Sequence, residues 1–176
     1  MRDTMKRIYK ILLPLIVFFA TTCMATGCWI YSFSGTSIQP DVKTICIEPV
    51  QNRALKINPS LANSLYEALA DKYRKLTKLE QVDDAGDLYV LATIEGYDVS
   101  PTAVTADEVA AKNRLTVSVK VKFVNEKHPE ENFEKNFAGY EDYDSQRSLD
   151  EVEAALCDTI IEKIVEDIFN ATVANW

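Results

Sequence analysis

The residues from Leu115 to Val124 set the tightest limit on what this chain can fold into. Leu115, Val117, Val119, Val121 and Phe123 alternate with Thr116, Ser118, Lys120 and Lys122, and a period of two sends one set to each face of a strand. One face must be buried and the other wet, so the chain requires an open sheet covered on one side only. The cover is legible too. Leu149, Val152, Leu156, Ile160, Ile164 and Ile168 recur in a helical stripe that Ile161, Val165 and Phe169 widen, which predicts a helix reaching about residue 172. Ser148-Leu149-Asp150-Glu151 offers it a capping box. Leu61, Leu65, Leu69, Tyr73 and Leu76 predict an earlier helix to about Lys78, with Asn58 as its cap and Pro59 at its first position.

The remaining strands follow from β-branched and aromatic runs between turn residues. Val42 to Val50, flanked by Pro40 and Pro49, reads as a strand with Ile45 and Ile47 on one face. Leu88 to Val99 carries apolar residues on both faces and belongs near the middle of the sheet. Asn132 to Tyr143 makes a third long strand after a charged hairpin connection, Asn125 to Glu131. The order predicts an α+β fold: one mixed, mainly antiparallel sheet of about four strands, with two long helices on one face. Ser100 to Arg114 is longer than a hairpin needs; Thr105 and Glu108 form a second capping box there, and Ala106 to Lys112 has room for two helical turns.

The amino-terminal segment differs in kind. Arg2, Lys6, Arg7 and Lys10 precede the apolar run Ile11 to Ala20, and Ala25-Thr26-Gly27-Cys28 follows. That is the layout of an export signal, and its end resembles the lipobox of bacterial lipoproteins. It implies cleavage before Cys28, diacylglyceryl transfer to the thiol and acylation of the new amino terminus. Cys23, after Ala20-Thr21-Thr22, is a weaker match, and an uncleaved anchor over Ile8 to Cys28 is the bland alternative. Two or three acyl chains on one residue make retention durable, since each buried methylene contributes about 0.8 kcal/mol. The expected organisation is a signal peptide at 1–27, a lipidated tether and short strand at 28–40, and a single domain at 41–176. Cys46 and Cys157 are then expected to stay unpaired: Ile45 and Ile47 claim the buried face, pointing Cys46 away from the helix that carries Cys157.

Charge narrows the function. The chain carries 19 Lys+Arg against 27 Asp+Glu, a net charge of −8, which disfavours nucleic acid as a partner. Removal of residues 1–27 leaves 15 against 26 and a more acidic body. The single histidine, His128, makes triads and histidine metal sites poor hypotheses, and the chain shows no phosphate-cradling glycine loop and no Cys/His metal spacing. No catalytic residue, no metal and no cofactor is therefore expected beyond the covalent lipid on Cys28. Glu141, Asp142 and Asp144 read as a solvated acidic rim and Asp83, Asp84 and Asp87 as turn residues. Against that acidity, Arg114, Lys120 and Lys122 form a basic row on the wet face of their strand. It suits a phosphate or carboxylate, or simply a solvated strand face.

Taken together, several segments resemble the LptE family of lipopolysaccharide-assembly lipoproteins, in its Bacteroidetes branch. They are Gly27-Cys28 with Tyr31-Ser32-Phe33-Ser34-Gly35, Pro40-Asp41-Val42-Lys43-Thr44-Ile45, Asn58-Pro59, Asn113-Arg114-Leu115-Thr116, Tyr140-Glu141-Asp142-Tyr143, and Glu166-Asp167-Ile168-Phe169 through Ala174-Asn175-Trp176. The resemblance implies an outer-membrane lipoprotein on the periplasmic side that plugs the LptD β-barrel translocon, helps assemble it, and assists delivery of lipopolysaccharide to the outer leaflet. It implies no catalysis. Arg114, Lys120 and Lys122 are lipopolysaccharide-contact candidates from the residue reading alone. Trp29, after the lipid site, is not the aspartate linked with inner-membrane retention. The rival expectation is a free-standing, periplasm-facing lipoprotein that binds a small ligand or an envelope glycan.

Overall fold

The computed structural model describes residues 38–56, 58–102 and 112–173. The leader, Cys28 and the expected tether up to residue 37 lie outside them, as do the Thr105/Glu108 capping box and the last three residues. No helix among the described residues is long and apolar enough to cross a membrane. The elements run β1 (Thr44–Ile47), β2 (Gln51–Asn52), α1 (Leu61–Leu76), β3 (Glu80–Gln81), β4 (Leu88–Pro101), β5 (Lys112–Asn125), a 3-10 turn (Pro129–Glu131), β6 (Phe133–Asp144) and α2 (Leu149–Val173).

The fold is α+β, with six strands where the sequence suggests about four. The sheet order is β3-β1-β4-β5-β6, with β2 also paired to β4. β1, β3 and β2 pair in parallel, whereas β4, β5 and β6 form a long antiparallel meander. The extra strands are two residues each, too short to show a period. β2 continues the line of β1 along β4: Ile47 pairs with Val90 and Gln51 with Thr93. Pro49 falls in the gap between them, and proline has no N–H to give to the ladder. The expected strand Val42 to Val50 is thus a short strand, a proline break and a second short strand.

Both helices lie on the inner face. Leu61, Leu65, Leu69 and Tyr73 of α1 and Ile160, Ile164, Ile168 and Phe169 of α2 are buried against Val90, Ile94, Val117, Val119 and Val121. Full burial of each large aliphatic side chain contributes about 1.5–3 kcal/mol, so this layer is the main source of stability. The helices also meet each other, with the Tyr73 and Phe169 rings 5.3 Å apart and tilted by 57°. Leu76, expected in the stripe of α1, is 47% exposed at the end of that helix. A register shift between Ile94 and Gly96 turns Tyr97 back inward, where its hydroxyl donates to Glu153 on α2.

Helix starts differ in detail. α1 begins at Leu61, not at Pro59, and Asn58 Oδ1 accepts from the amide and hydroxyl of Ser60, closing the turn ahead of the helix. At α2 the Glu151 amide donates to the Ser148 carbonyl, and the Glu151 carboxylate turns to Arg147. Lys112 is the first residue of β5 and not the end of a helical segment. Cys46 and Cys157 are both free and both buried. Cys46 is covered on the outer side by the 83–87 turn, where its Sγ lies 3.5 Å from the Asp83 carbonyl and a Cβ on Gly86 would come within 2.8 Å of its amide.

Candidate functional site

The helices leave the outer face of the β4-β5-β6 meander open. It carries the even-numbered residues of β5, among them Arg114, Lys120 and Lys122. Register then supplies their neighbours. Arg114 lies opposite Asp142, Thr116 opposite Tyr140, Lys120 opposite Asn136 and Lys122 opposite Glu134.

Arg114 is held from two sides. Its Nε and Nη2 donate to the two carboxylate oxygens of Asp142 at 2.7 and 3.0 Å, and its guanidinium carbon sits 3.9 Å from the centroid of the Tyr140 ring. These hydrogen bonds hold the Asp142 carboxyl below its ordinary range and the guanidinium above its own. A planar cation gripped by a bidentate carboxylate and an aromatic face is geometrically fixed. Lys120 reaches diagonally to Glu134, which raises the ammonium and lowers the carboxyl. Among the described residues, Lys122 forms no ion pair.

The three candidate cations therefore share a face without forming one site. Six residues of strand separate Arg114 from Lys120, about 20 Å. Lys120 and Lys122 instead border a shallow groove of about 290 Å³ with Arg53, Glu48, Glu95 and Glu134. Arg53 was not singled out by the strand pattern, because it arrives from the stretch after β2; Tyr140 and Glu134 were missed as partners because only the cross-strand register brings them to β5. The acidic residues behave as structural groups. Glu141 pairs with Lys163, and Asp144 Oδ1 accepts from the Gln146 amide at 2.8 Å. Asp87 Oδ2 accepts from the Lys43 and Thr44 amides at 2.8 and 3.1 Å, which lowers its carboxyl and pins β1 to the turn before β4.

The outer face thus offers two cross-strand ion pairs, Arg114–Asp142 and Lys120–Glu134, beside a groove of mixed sign in which Lys122, Arg53, Glu48 and Glu95 form no ion pair among the described residues. The model of a family described as LptE, lipopolysaccharide-assembly, matches residues 42–172. No curated protein matches the chain. Among solved structures, the hypothetical protein CT253 from Chlamydia trachomatis is similar at 12% identity and TM-score 0.50, covering 76% of this chain and 99% of that one. A Helicobacter pylori protein described as a homolog of neuraminyllactose-binding hemagglutinin is similar at 13% identity and TM-score 0.51, covering 78% and 87%. A minor lipoprotein from Acinetobacter baumannii matches at 12% identity and TM-score 0.43, covering 72% and 89%. For the Chlamydia and Helicobacter proteins the likeness is one of fold.

Proposed function

Because this chain belongs to the LptE family of lipopolysaccharide-assembly proteins, we propose that it is a lipid-anchored accessory subunit of the outer-membrane translocon. In this reading Cys28 carries the acyl chains, the body lies on the periplasmic side, and it seats as a plug in an LptD-type β-barrel. The role needs no catalytic group and no cofactor beyond the covalent lipid: the protein works by occupying, bracing and binding.

The observation that supports the plug is the one-sided sheet. A body with one face sealed by two helices and the other faced with Arg114–Asp142 and Lys120–Glu134 pairs suits a wide polar lumen, whose wall is itself wet. The groove beside Lys122 and Arg53 is where a lipopolysaccharide phosphate would find cations not wholly neutralised by neighbours.

The test is a Cys28→Ala chain expressed in place of the original. Loss of the protein from the membrane fraction, together with a fall in assembled barrel and in surface lipopolysaccharide, is the expected outcome. Unchanged membrane retention and unchanged barrel levels would overturn the proposal.

A further inference from the structure

The sheet ends at β6, whose outer edge pairs with no strand among the described residues. Which backbone groups face that edge follows from two contacts. The Lys112 carbonyl accepts from Thr102, on the β4 side of β5, so even-numbered residues of β5 bond toward β4 and odd-numbered ones toward β6. Through the register, odd residues of β6 bond to β5 and even ones, Glu134 to Asp142, turn their N–H and C=O outward. The Tyr140 carbonyl agrees, since it accepts from Lys163 Nζ at 3.3 Å on the outer side.

Apart from Lys163 over the Tyr140 carbonyl, this edge has few of the usual guards among the described residues. It is 12 residues long, contains no proline, and runs from Phe133 to Asp144 without a register shift. Charged residues sit toward its ends, but the central stretch Asn136-Phe137-Ala138-Gly139-Tyr140 has none. A long edge of this kind, without proline or bulge, is a template for an added strand. Beside it runs a groove of about 620 Å³ between Ala138 to Tyr140 on β6 and Thr159, Glu162, Lys163, Glu166 and Asp167 on α2.

The charge of the groove selects the occupant. α2 carries seven acidic residues and one base, Lys163, and that base is engaged by Glu141 and the Tyr140 carbonyl. Glu162 and Asp167 form no ion pair among the described residues. A second copy pairing edge to edge about Ala138 would set Lys135 against Glu141 but also Glu134 against Asp142, and it would bring two acidic helices together, which disfavours it. We propose that the free edge of β6 is a strand-addition site for an extended polypeptide segment whose helix-facing side chains are basic. Its backbone completes the ladder at Asn136 and Ala138 and displaces Lys163 where it reaches the Tyr140 carbonyl, and its Lys or Arg side chains meet Glu162 and Asp167. The inference goes beyond the plug reading and holds whether or not a barrel is the partner.

The test uses the full lipidated chain in neutral detergent with two short peptides: one alternating lysine with valine and threonine, the other with glutamate at every lysine position. The lysine peptide slows amide exchange over residues 134–142 by about tenfold or more at millimolar concentration, and the glutamate peptide does not. Ala138→Pro removes an outward N–H and abolishes the effect, with the β5 ladder intact by circular dichroism. Should that variant unfold, Glu162→Lys/Asp167→Lys decides, because it reverses the preference to the glutamate peptide. Equal protection by both peptides, protection by neither, or a concentration-dependent dimer protected at the same edge without peptide would each overturn the proposal.

Discussion

At Gly139, α2 packs close against the sheet, and a single methyl group there tests the packing layer directly. A Cβ at this position would lie 3.0 Å from Ile160 Cγ2, 3.0 Å from Ile164 Cγ1 and 3.1 Å from the Ile160 carbonyl oxygen. One rotamer change cannot relieve this, because isoleucine is stiff at χ1 in a helix and one of the three contacts is backbone. The helix must lift by several tenths of an ångström over Val117, Val119 and Phe137. Overpacking of this kind costs about 1–3 kcal/mol, and replacing a strand glycine returns about 0.5–1 kcal/mol of backbone entropy. The net for Gly139→Ala spans about 0–2.5 kcal/mol and centres on a loss of about 1 kcal/mol, or roughly 3–4 °C of thermal midpoint for a domain of this size. Ala138→Val is the control one residue away: Ala138 is exposed on the opposite face, and the larger β-branched side chain leaves the midpoint unchanged or slightly higher. Differential scanning calorimetry of both variants reads the difference. A Gly139→Ala protein more stable than the original, or equal shifts in the two variants, would refute the close approach of α2 to β6.

Other consequences are open to measurement. Asn125 is 1% exposed; its Oδ1 accepts from the Lys127 and His128 amides and its Nδ2 donates to Glu131, so Asn125→Ala strands polar groups in the hairpin and costs about 1–3 kcal/mol in urea unfolding. His128 Nε2 lies 3.1 Å from Asp41, a contact that raises the imidazole above 6.5 and lowers the carboxyl below 3.8. Its contribution is complete between about pH 4 and 6.5, lost as pH rises through the shifted histidine and lost again as pH falls through the shifted aspartate. The lone histidine resonance should titrate above 6.5 and move down toward it in Asp41→Asn, with Glu130 and Glu131 still raising it; no difference between the two would remove the pair. Tyr73 is buried with its hydroxyl against Thr172 Oγ1, and burial pushes its phenol far up. Thr172 keeps its bonds to the Ile168 and Phe169 carbonyls, so Tyr73→Phe costs only about 0.5–1.5 kcal/mol by thermal melts.

The parts of the fold legible in the sequence were those with a long period. The β5 alternation and the α2 stripe carry enough repeats to define a face, and Leu115 to Phe123 and Ile160 to Phe169 are buried as their spacing requires. β2 and β3 were not legible, since two residues have no period and their pairing depends on where Pro49 breaks the line. The basic row shows the same divide at the site. Its residence on the wet face is a matter of parity, but its meaning is a matter of register: which acid faces which base is set by the hairpin between β5 and β6. The turn that buries Asn125 is what places Asp142 on Arg114 and Glu134 within reach of Lys120. Cys46 makes a similar point, because strand parity sends it outward correctly and only the 83–87 turn, folded over it, explains its burial.

Isolation of the tagged full chain from membranes in mild detergent, with intact mass analysis of the complex and of its own amino terminus, tests the central claim most directly. The account predicts a mature chain beginning at an acylated Cys28, in one-to-one association with a large outer-membrane β-barrel. A solitary, unmodified polypeptide, or a lipidated monomer that holds a small ligand and no barrel, would contradict it.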